Sequence, residues 1–180
     1  PYTAPSLFNI SAMSYGALSG PAISALSQGA YQSGIWLNTG EGGLSPFHRQ
    51  APCDLVFQIG TAKYGVRDEQ VRLDAMKLTE LAAVPEIKLF EIKLSQGAKP
   101  GMGVILPGEK VTEVIASTRG IPAGQDSISP NRHPEVTSVE SLLDLIKTVR
   151  DVSQKPTGIK FVLGQTQWLD DFCAAIHTRG

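Results

Sequence analysis

Lysine and glutamine side chains are concentrated in the stretch from residue 87 to residue 108. An apolar strand is predicted over 87–92, and Lys93, Gln96 and Lys99 follow it among glycines and prolines. Glycine lets a backbone approach a ligand closely or take a positive φ, and proline stiffens the chain. The pattern predicts a shaped, positively charged loop at the carboxyl end of a strand, where α/β proteins bind their ligands.

Two lysines occupy similar places in apolar strands. Lys93 ends Phe-Glu-Ile-Lys, and Lys160 lies in Gly-Ile-Lys-Phe, each at a position that can face inward. A buried ammonium group is costly unless an anion compensates for its desolvation. The pattern is consistent with an anionic ligand, and also with a salt bridge to Glu91 or to a carboxylate on another strand.

Three further polar side chains are candidates for the same site. Gln58 ends an apolar strand, Glu41 is flanked by glycines, and Arg119 ends a short helix. Each also has a purely structural interpretation. Gln58 can tie neighbouring strands together, Glu41 can anchor its own loop, and Arg119 can be a solvated arginine at the negative end of a helix.

Ordered sequence blocks over most of the chain resemble the FMN-binding synthase domain of glutamate synthase. The likeness is also to the shorter glutamate-synthase-like proteins built around that domain. Several blocks in the same order are far more specific than one glycine-rich motif. The blocks are Ile10–Ser19, Asn38–Gly43, Gln58–Gly65, Glu91–Gly108 and Ile128–Pro130.

The resemblance implies that the chain binds FMN. In that family the first block lines the flavin, and an amide suits the mixed donor and acceptor edge of its pyrimidine ring. A lysine near N1 of the flavin favours the negatively charged reduced state. The residues that this assigns to the cofactor are Ala12, Met13, Ser14, Gln58, Lys93 and Lys160.

The resemblance also implies a reaction, the reductive amination of 2-oxoglutarate to glutamate. Gln96 and Lys99 match residues that hold the diacid, and Arg119 is a candidate second clamp. Glu41 and Lys93 are the expected catalytic groups, with Glu41 managing protons or receiving ammonia. The ammonia is free or derived from glutamine. Electrons are expected from a donor protein or domain, because no dinucleotide fingerprint follows a strand.

Two departures from the family pattern concern the substrate. The larger synthases carry Gly-Glu-Gly-Gly-Gln where this chain has Gly101-Met-Gly-Val-Ile105, and a proline- and histidine-rich run where it has Asn131-Arg-His-Pro-Glu135. Met102 and Ile105 remove polar groups from the substrate loop. Two alternatives therefore stay open: an FMN oxidoreductase of the same family with another substrate, and a non-catalytic barrel fragment.

Composition narrows the class of protein. The net charge of −1 does not indicate the basic surface that binds nucleic acid. No apolar run approaches the length of a membrane-spanning helix. Cys53 and Cys173 lie far apart without histidine or cysteine neighbours at ligand spacing, so no metal site is predicted. An iron–sulfur cluster is expected only in a missing C-terminal part. The interpretation is a cytoplasmic protein, and the absence of an initial Met suggests an excised or processed piece.

Alternating strands and helices predict the fold. Strands are predicted over 7–13, 35–38, 55–59, 87–92 and 159–163. Helices are predicted from Ser19 to Gly34, from Asp68 through Ala82, over 111–118, from a Thr137/Glu140 capping box, and over 169–176. Residues 120–136 are expected to be irregular.

Short buried strands that alternate with helices indicate an α/β fold with a parallel sheet. A (β/α)8 barrel needs eight units and about 250 residues, so about five units in 180 residues cannot close. We predict the N-terminal part of a TIM (β/α)8 barrel, with residues 1–180 as a single partial FMN-binding domain that lacks the C-terminal strands. An open doubly wound sheet is the alternative.

Overall fold

The computed structural model describes residues 1–97 and 103–179. Lys99 and Met102 lie outside the described residues. The strands are β1 (Leu37–Asn38), β2 (Leu55–Ile59), β3 (Ile87–Lys93), β4 (Val104–Leu106), β5 (Ser127–Ser129) and β6 (Thr157–Lys160). The helices are α1 (Gly20–Ser33), α2 (Ala75–Ala82), α3 (Glu113–Arg119), α4 (Val139–Ser153) and α5 (Gln167–Arg179).

The described strands form a parallel sheet in the order β1-β2-β3-β6. Each strand therefore lies beside the next parallel strand of the chain, whereas a doubly wound sheet reverses its order at a switch point. An α/β fold with a parallel sheet is confirmed, and this order fits part of a barrel. Closure into a TIM barrel stays a prediction.

The alternation of side chains along β3 separates the two faces of the sheet. Phe90 and Ile92 are fully buried in the apolar core, whereas Glu91 and Lys93 are half-buried. Successive strand residues point to opposite faces, so Glu91 and Lys93 share the face turned away from that core. The apolar face packs against helices, and the opposite face presents polar side chains.

Helix ends follow the local sequence closely in two helices. Ser19 caps α1 by accepting a hydrogen bond from the Ala22 N–H, and Gly34 ends it in the left-handed conformation at φ 62°. Gly120 ends α3 in the same way at φ 68°. Glycine takes this conformation without the steric penalty of a Cβ.

Two predicted helix starts were wrong. The capping box of α4 is formed by Ser138 and Ser141 rather than Thr137 and Glu140, because each of the two serine hydroxyls accepts a backbone N–H of the other. Helix α2 begins after Asp74, which accepts the N–H groups of Met76 and Lys77. The earlier Asp68 instead closes a turn through the N–H groups of Gln70 and Arg72, and Val71 there takes φ +62°.

The prediction of a strand over 7–13 was also wrong. Ile10 forms only an isolated parallel bridge to Leu37, and the Met13 N–H donates to the Asn38 carbonyl at 3.1 Å. The segment therefore lies beside β1 but leaves the strand conformation on either side of Ile10. The last parallel strand, β6, ends at Lys160 rather than at residue 163.

A short antiparallel pair was missed. Strands β4 and β5 pair from Val104↔Ser129 to Leu106↔Ser127. Three-residue strands are too short for the alternation of apolar and polar residues to stand out in the sequence. This pair lies between β3 and α4 in the chain, in the region that contains the predicted substrate loop. Within the described residues, no helix is long and apolar enough to cross a membrane.

Candidate functional site

The candidate site lies at the carboxyl ends of β3 and β6. Lys93 and Lys160, the last residues of these strands, are direct partners in the parallel register. Together with Gln96 and Val104 they line a pocket of about 330 Å³. Two ammonium groups and an amide at one pocket form a setting for an anionic ligand.

Three polar side chains form a closed hydrogen-bonded ring at this pocket. Lys93 Nζ lies 3.0 Å from Glu41 Oε1 and 2.7 Å from Gln96 Oε1, and Gln96 Nε2 lies 2.8 Å from Glu41 Oε2. Gln96 is buried, and the side chains of Lys93 and Glu41 are 19% and 16% exposed. The loop after β1, the end of β3 and the loop after β3 thus bring a carboxylate, an ammonium group and an amide to one point.

Gly60 provides the room for this ring. A Cβ on Gly60 would lie 2.5 Å from both Cβ and Oε2 of Glu41. Such a distance is too short for any real contact, so a side chain there would displace the carboxylate. The glycine directly after β2 therefore determines where Glu41 can lie.

A second cavity lies on the polar face of the sheet. It has a volume of about 300 Å³ and is lined by residues that include Ser11, Ala12, Asn38, Glu91 and Lys160. Lys160 lines both cavities, so the two are neighbours across one side chain. The first of the sequence blocks, Ile10–Ser19, and Lys160 therefore meet at this face.

Glu91 organises the polar face but was missed as a site residue. Its Oε1 accepts hydrogen bonds from Asn38 Nδ2 at 2.8 Å and from Gln58 Nε2 at 2.7 Å. The bond from Gln58 is the strand tie considered for that amide, and it leaves the amide oxygen of Gln58 for another donor. The sequence signal that could have identified Glu91 was its charge within an apolar strand, two positions before Lys93.

His48 supports the segment that contains Ala12, Met13 and Ser14. Its Nδ1 accepts the Ser45 N–H at 3.2 Å, so the ring proton is on Nε2, which donates to the Met13 carbonyl at 2.9 Å. Burial lowers the pKa of His48, although its backbone hydrogen bonds act in the opposite direction. The imidazole is therefore a neutral structural donor.

The segment is also held from the side of the Glu41 loop. A Cβ on Gly40, which has φ +65°, would lie 2.6 Å from the Ser14 backbone nitrogen. The glycines around Glu41 thus allow two backbones to touch. This contact joins the segment predicted to line the flavin, which contains Ser14, to the loop that contains Glu41.

Arg119 is buried rather than solvated at the end of α3. Its Nη1 donates to Ser127 Oγ at 2.7 Å, its Nη2 lies 3.4 Å from the Tyr15 carbonyl oxygen, and its guanidinium stacks on Tyr64 with 5.0 Å to the ring centroid. Burial lowers the pKa of Arg119, with Tyr64 acting in the opposite direction. Among the described residues no carboxylate pairs with it, and its buried Nε has no partner.

The predicted site residues therefore fall into three groups. Glu41, Lys93, Gln96 and Lys160 lie at one pair of strand ends. Ala12, Met13, Ser14 and Gln58 lie on or beside the polar face, and Arg119 lies beneath the glycine loop that contains Glu41. Lys99 lies outside the described residues. In the described part of the chain, no three His, Cys, Asp or Glu side chains cluster closely enough to hold a metal ion.

Cations and a carboxylate at the strand ends of a parallel α/β sheet lie where such folds commonly bind small molecules. The family model described as a conserved region in glutamate synthase matches residues 3–175. The chain belongs to the family that this conserved region defines.

Curated relatives have the same affiliation in their names. The glutamate synthase large subunit-like protein YerD of Bacillus subtilis is 39% identical over 181 residues, which cover 100% of this chain and 34% of YerD. The archaeal-type glutamate synthase [NADPH] of Thermotoga maritima is 41% identical over 151 residues, 83% of this chain and 27% of that protein. The archaeal glutamate synthase [NADPH] of Archaeoglobus fulgidus is 39% identical over 152 residues, with the same coverage of 83% and 27%. The chain thus spans about a third or less of the length of these relatives.

Proposed function

We propose that this chain is the N-terminal part of an FMN-binding (β/α)8 barrel in a glutamate-synthase-type oxidoreductase. Its reaction is the reductive amination of 2-oxoglutarate to glutamate. The observation that carries the proposal is the ring of Glu41, Lys93 and Gln96, with Lys160 beside it, at the strand ends of a chain from this family.

The residues on the polar face suit a flavin ring. Ala12 lines the cavity on this face, Met13 and Ser14 follow it in the chain, and the Gln58 amide lies against it through its bond to Glu91. Lys93 and Lys160 supply positive charge where the reduced ring is negative. These residues would hold FMN, which, when bound and reduced, supplies the hydride for the reaction.

The substrate side requires cations for two carboxylates. Lys99 and Gln96 are proposed to orient 2-oxoglutarate, and Arg119 is proposed as the second clamp. The buried, unpaired Nε of Arg119 and its lack of a carboxylate partner among the described residues support this role. A buried guanidinium gains most from an anion that reaches it.

Glu41 is proposed to handle the protons of amination. It takes a proton from the nitrogen of ammonia as that nitrogen attacks the carbonyl carbon of the oxo acid, and it returns a proton to the former carbonyl oxygen, which leaves as water when the imine forms. Lys93, bonded to both Glu41 and Gln96, holds the carboxylate in place. The hydrogen-bonded ring of Glu41, Lys93 and Gln96 thus connects the positive charge proposed near the flavin with the proton acceptor proposed near the substrate.

The rest of the system lies beyond this chain. Electrons are proposed to come from a donor protein or domain, and ammonia to be free or derived from glutamine. Any iron–sulfur cluster belongs to a part of the protein outside these residues. A cytoplasmic location stays a prediction.

The full-length protein tests the proposal in two steps. Its visible spectrum after purification with added FMN reports whether flavin binds, and an absence of bound flavin would favour a non-catalytic barrel. Lys99→Ala should then raise the KM for 2-oxoglutarate roughly tenfold to a hundredfold, because a charge-assisted bond contributes about 1.5–3 kcal/mol. Lys110→Ala, at an exposed lysine 11 positions further along the chain, is the matched control. An unchanged KM in Lys99→Ala excludes the proposed clamp.

A second candidate keeps the flavin and changes the acceptor. Val104 lines the pocket with Lys93, and Ile105 is 59% exposed beside it, where the larger synthases carry Gly and Gln. Apolar side chains at this position favour a 2-oxo acid without a second carboxylate. The ratio of kcat/KM for 2-oxoglutarate to that for 2-oxobutyrate decides between the two acceptors.

A further inference from the structure

Residues 130–135 run along the loop that contains Gln96. The Gln96 N–H donates to the Asn131 carbonyl at 3.3 Å, and Ser95 forms an antiparallel bridge with Arg132. Thr61 Oγ1 donates to the Pro130 carbonyl at 2.5 Å. This segment, called here the clasp, is where the sequence departs from the family's proline- and histidine-rich run.

His133 makes the central contact of the clasp. It is 1% exposed, and its Nε2 lies 2.9 Å from the Lys93 carbonyl oxygen. A carbonyl only accepts, so the ring proton is on Nε2. Burial lowers the pKa of His133, although the bond to the Lys93 carbonyl and the nearby carboxylates of Glu135 and Glu41 act in the opposite direction. Its buried Nδ1 has no hydrogen-bond partner among the described residues.

An ion pair fixes the far end of the clasp. Lys63, which is 2% exposed and follows β2, lies 2.9 Å from Glu135 Oε1. The clasp is thereby attached both to the loop after β2 and to the loop after β3. Glu135 also lies near the ring of His133, with 3.8 Å between Oε1 and Nδ1.

We propose that His133 is a positioning residue: its bond to the Lys93 carbonyl holds the end of β3 so that Lys93 and Gln96 stay in contact with Glu41. This inference rests on the proposed function for its catalytic consequence. It makes a geometric claim that does not depend on that function. The bond acts on the backbone at the point where β3 passes into the site loop.

Three substitutions in the full-length protein separate the donor from the packing. His133→Gln retains an N–H near the position of Nε2, His133→Asn places its amide short of the Lys93 carbonyl, and His133→Leu removes all polarity. Cys53→Ala, a buried change at the opposite end of β2, is the control for loss of stability alone. Crystal structures report the distance from Lys93 Nζ to Glu41 Oε1, and steady-state kinetics report KM and kcat.

The positioning role predicts a rescue. His133→Leu and His133→Asn should break the Lys93–Glu41 contact and raise the KM for 2-oxoglutarate about tenfold, whereas His133→Gln and Cys53→Ala keep both near wild type. An intact Lys93–Glu41 contact in both His133→Leu and His133→Asn would overturn the inference. If the wild-type protein binds neither FMN nor 2-oxoglutarate, the proposed function fails, and the crystallographic distances still decide the role of His133.

Discussion

Lys93 and Lys160 are register partners on adjacent parallel strands, and both line the same pocket. Like charges at such neighbouring positions destabilise a sheet. Glu41 neutralises Lys93, whereas Lys160 has no ion pair among the described residues. The pair therefore leaves one uncompensated positive charge at the polar face, where an anionic ligand would stabilise the fold.

Replacing Lys160 by Met should make the reduction potential of bound FMN more negative. Loss of a charge contact of about 1.5–3 kcal/mol corresponds to roughly 30–60 mV for a two-electron couple. Lys93→Met should act in the same direction. Redox titration of the full-length protein measures the shift, with Lys110→Met as the control. A titration that Lys93→Met and Lys160→Met both leave unchanged would remove the lysines from the flavin site.

Gly60→Ala should displace Glu41 with little effect on global stability. The added Cβ would lie 2.5 Å from the Glu41 Cβ, so rotation of the carboxylate does not relieve the contact. We expect kcat/KM to fall at least about tenfold, the effect of losing a general base in part. Gly29→Ala is the matched control, because a Cβ there meets nothing within 4 Å. If Gly60→Ala and Gly29→Ala have equal kcat/KM, Glu41 has no catalytic role.

Arg119→Met should destabilise the protein by roughly 2–4 kcal/mol, because the buried guanidinium joins three chain segments. These contacts are to Ser127, to the Tyr15 carbonyl and to the Tyr64 ring. Arg119→Lys should recover only part of the lost stability, since one ammonium group cannot reproduce the planar set of N–H donors of a guanidinium. Urea unfolding measures both, and the exposed Arg150→Met should change stability by less than about 0.5 kcal/mol. A similar loss in Arg119→Met and Arg150→Met would show that the buried network contributes nothing.

Stability should fall as the pH drops below about 6.5, the ordinary pKa of histidine. Burial lowers the pKa of His48 and of His133, so the unfolded chain binds more protons than the folded chain in this range. The free energy of unfolding therefore rises with pH up to about 6.5, and the histidine contribution is flat above it. Urea unfolding between pH 5 and 8 measures this slope. His48→Gln and His133→Gln should each flatten it, and an unchanged slope in both variants would contradict the assignment.

Local sequence was sufficient for the elements whose signals are strong. Strands β2 and β3 are each built around four apolar residues with glycine or proline nearby, and α1 has its serine cap and its glycine stop. The segment over 7–13 failed because Ile10 alone pairs with β1. The three-residue strands β4 and β5 carry too little periodicity to be recognised.

The site divides in the same way. The residue types that bind an anion could be identified along the chain, but the partner of each could not. Glu41 lies in the loop after β1, and Lys93 ends β3, 52 positions further along the chain. From the sequence, Arg119 could be a substrate clamp or a solvated arginine at a helix end, and its burial depends on Tyr64 and Ser127 from other elements.

By itself the sequence determined the family, the alternation of strands and helices, and the positively charged loop after β3. These follow from local composition and from ordered motifs. Only the tertiary structure decided that Lys93 pairs with Glu41 rather than Glu91, that Glu91 instead receives two amides, and that His133 bonds to the Lys93 carbonyl. The physical reason is that hydrogen bonds between distant loops depend on the strand register, and no single segment encodes that register.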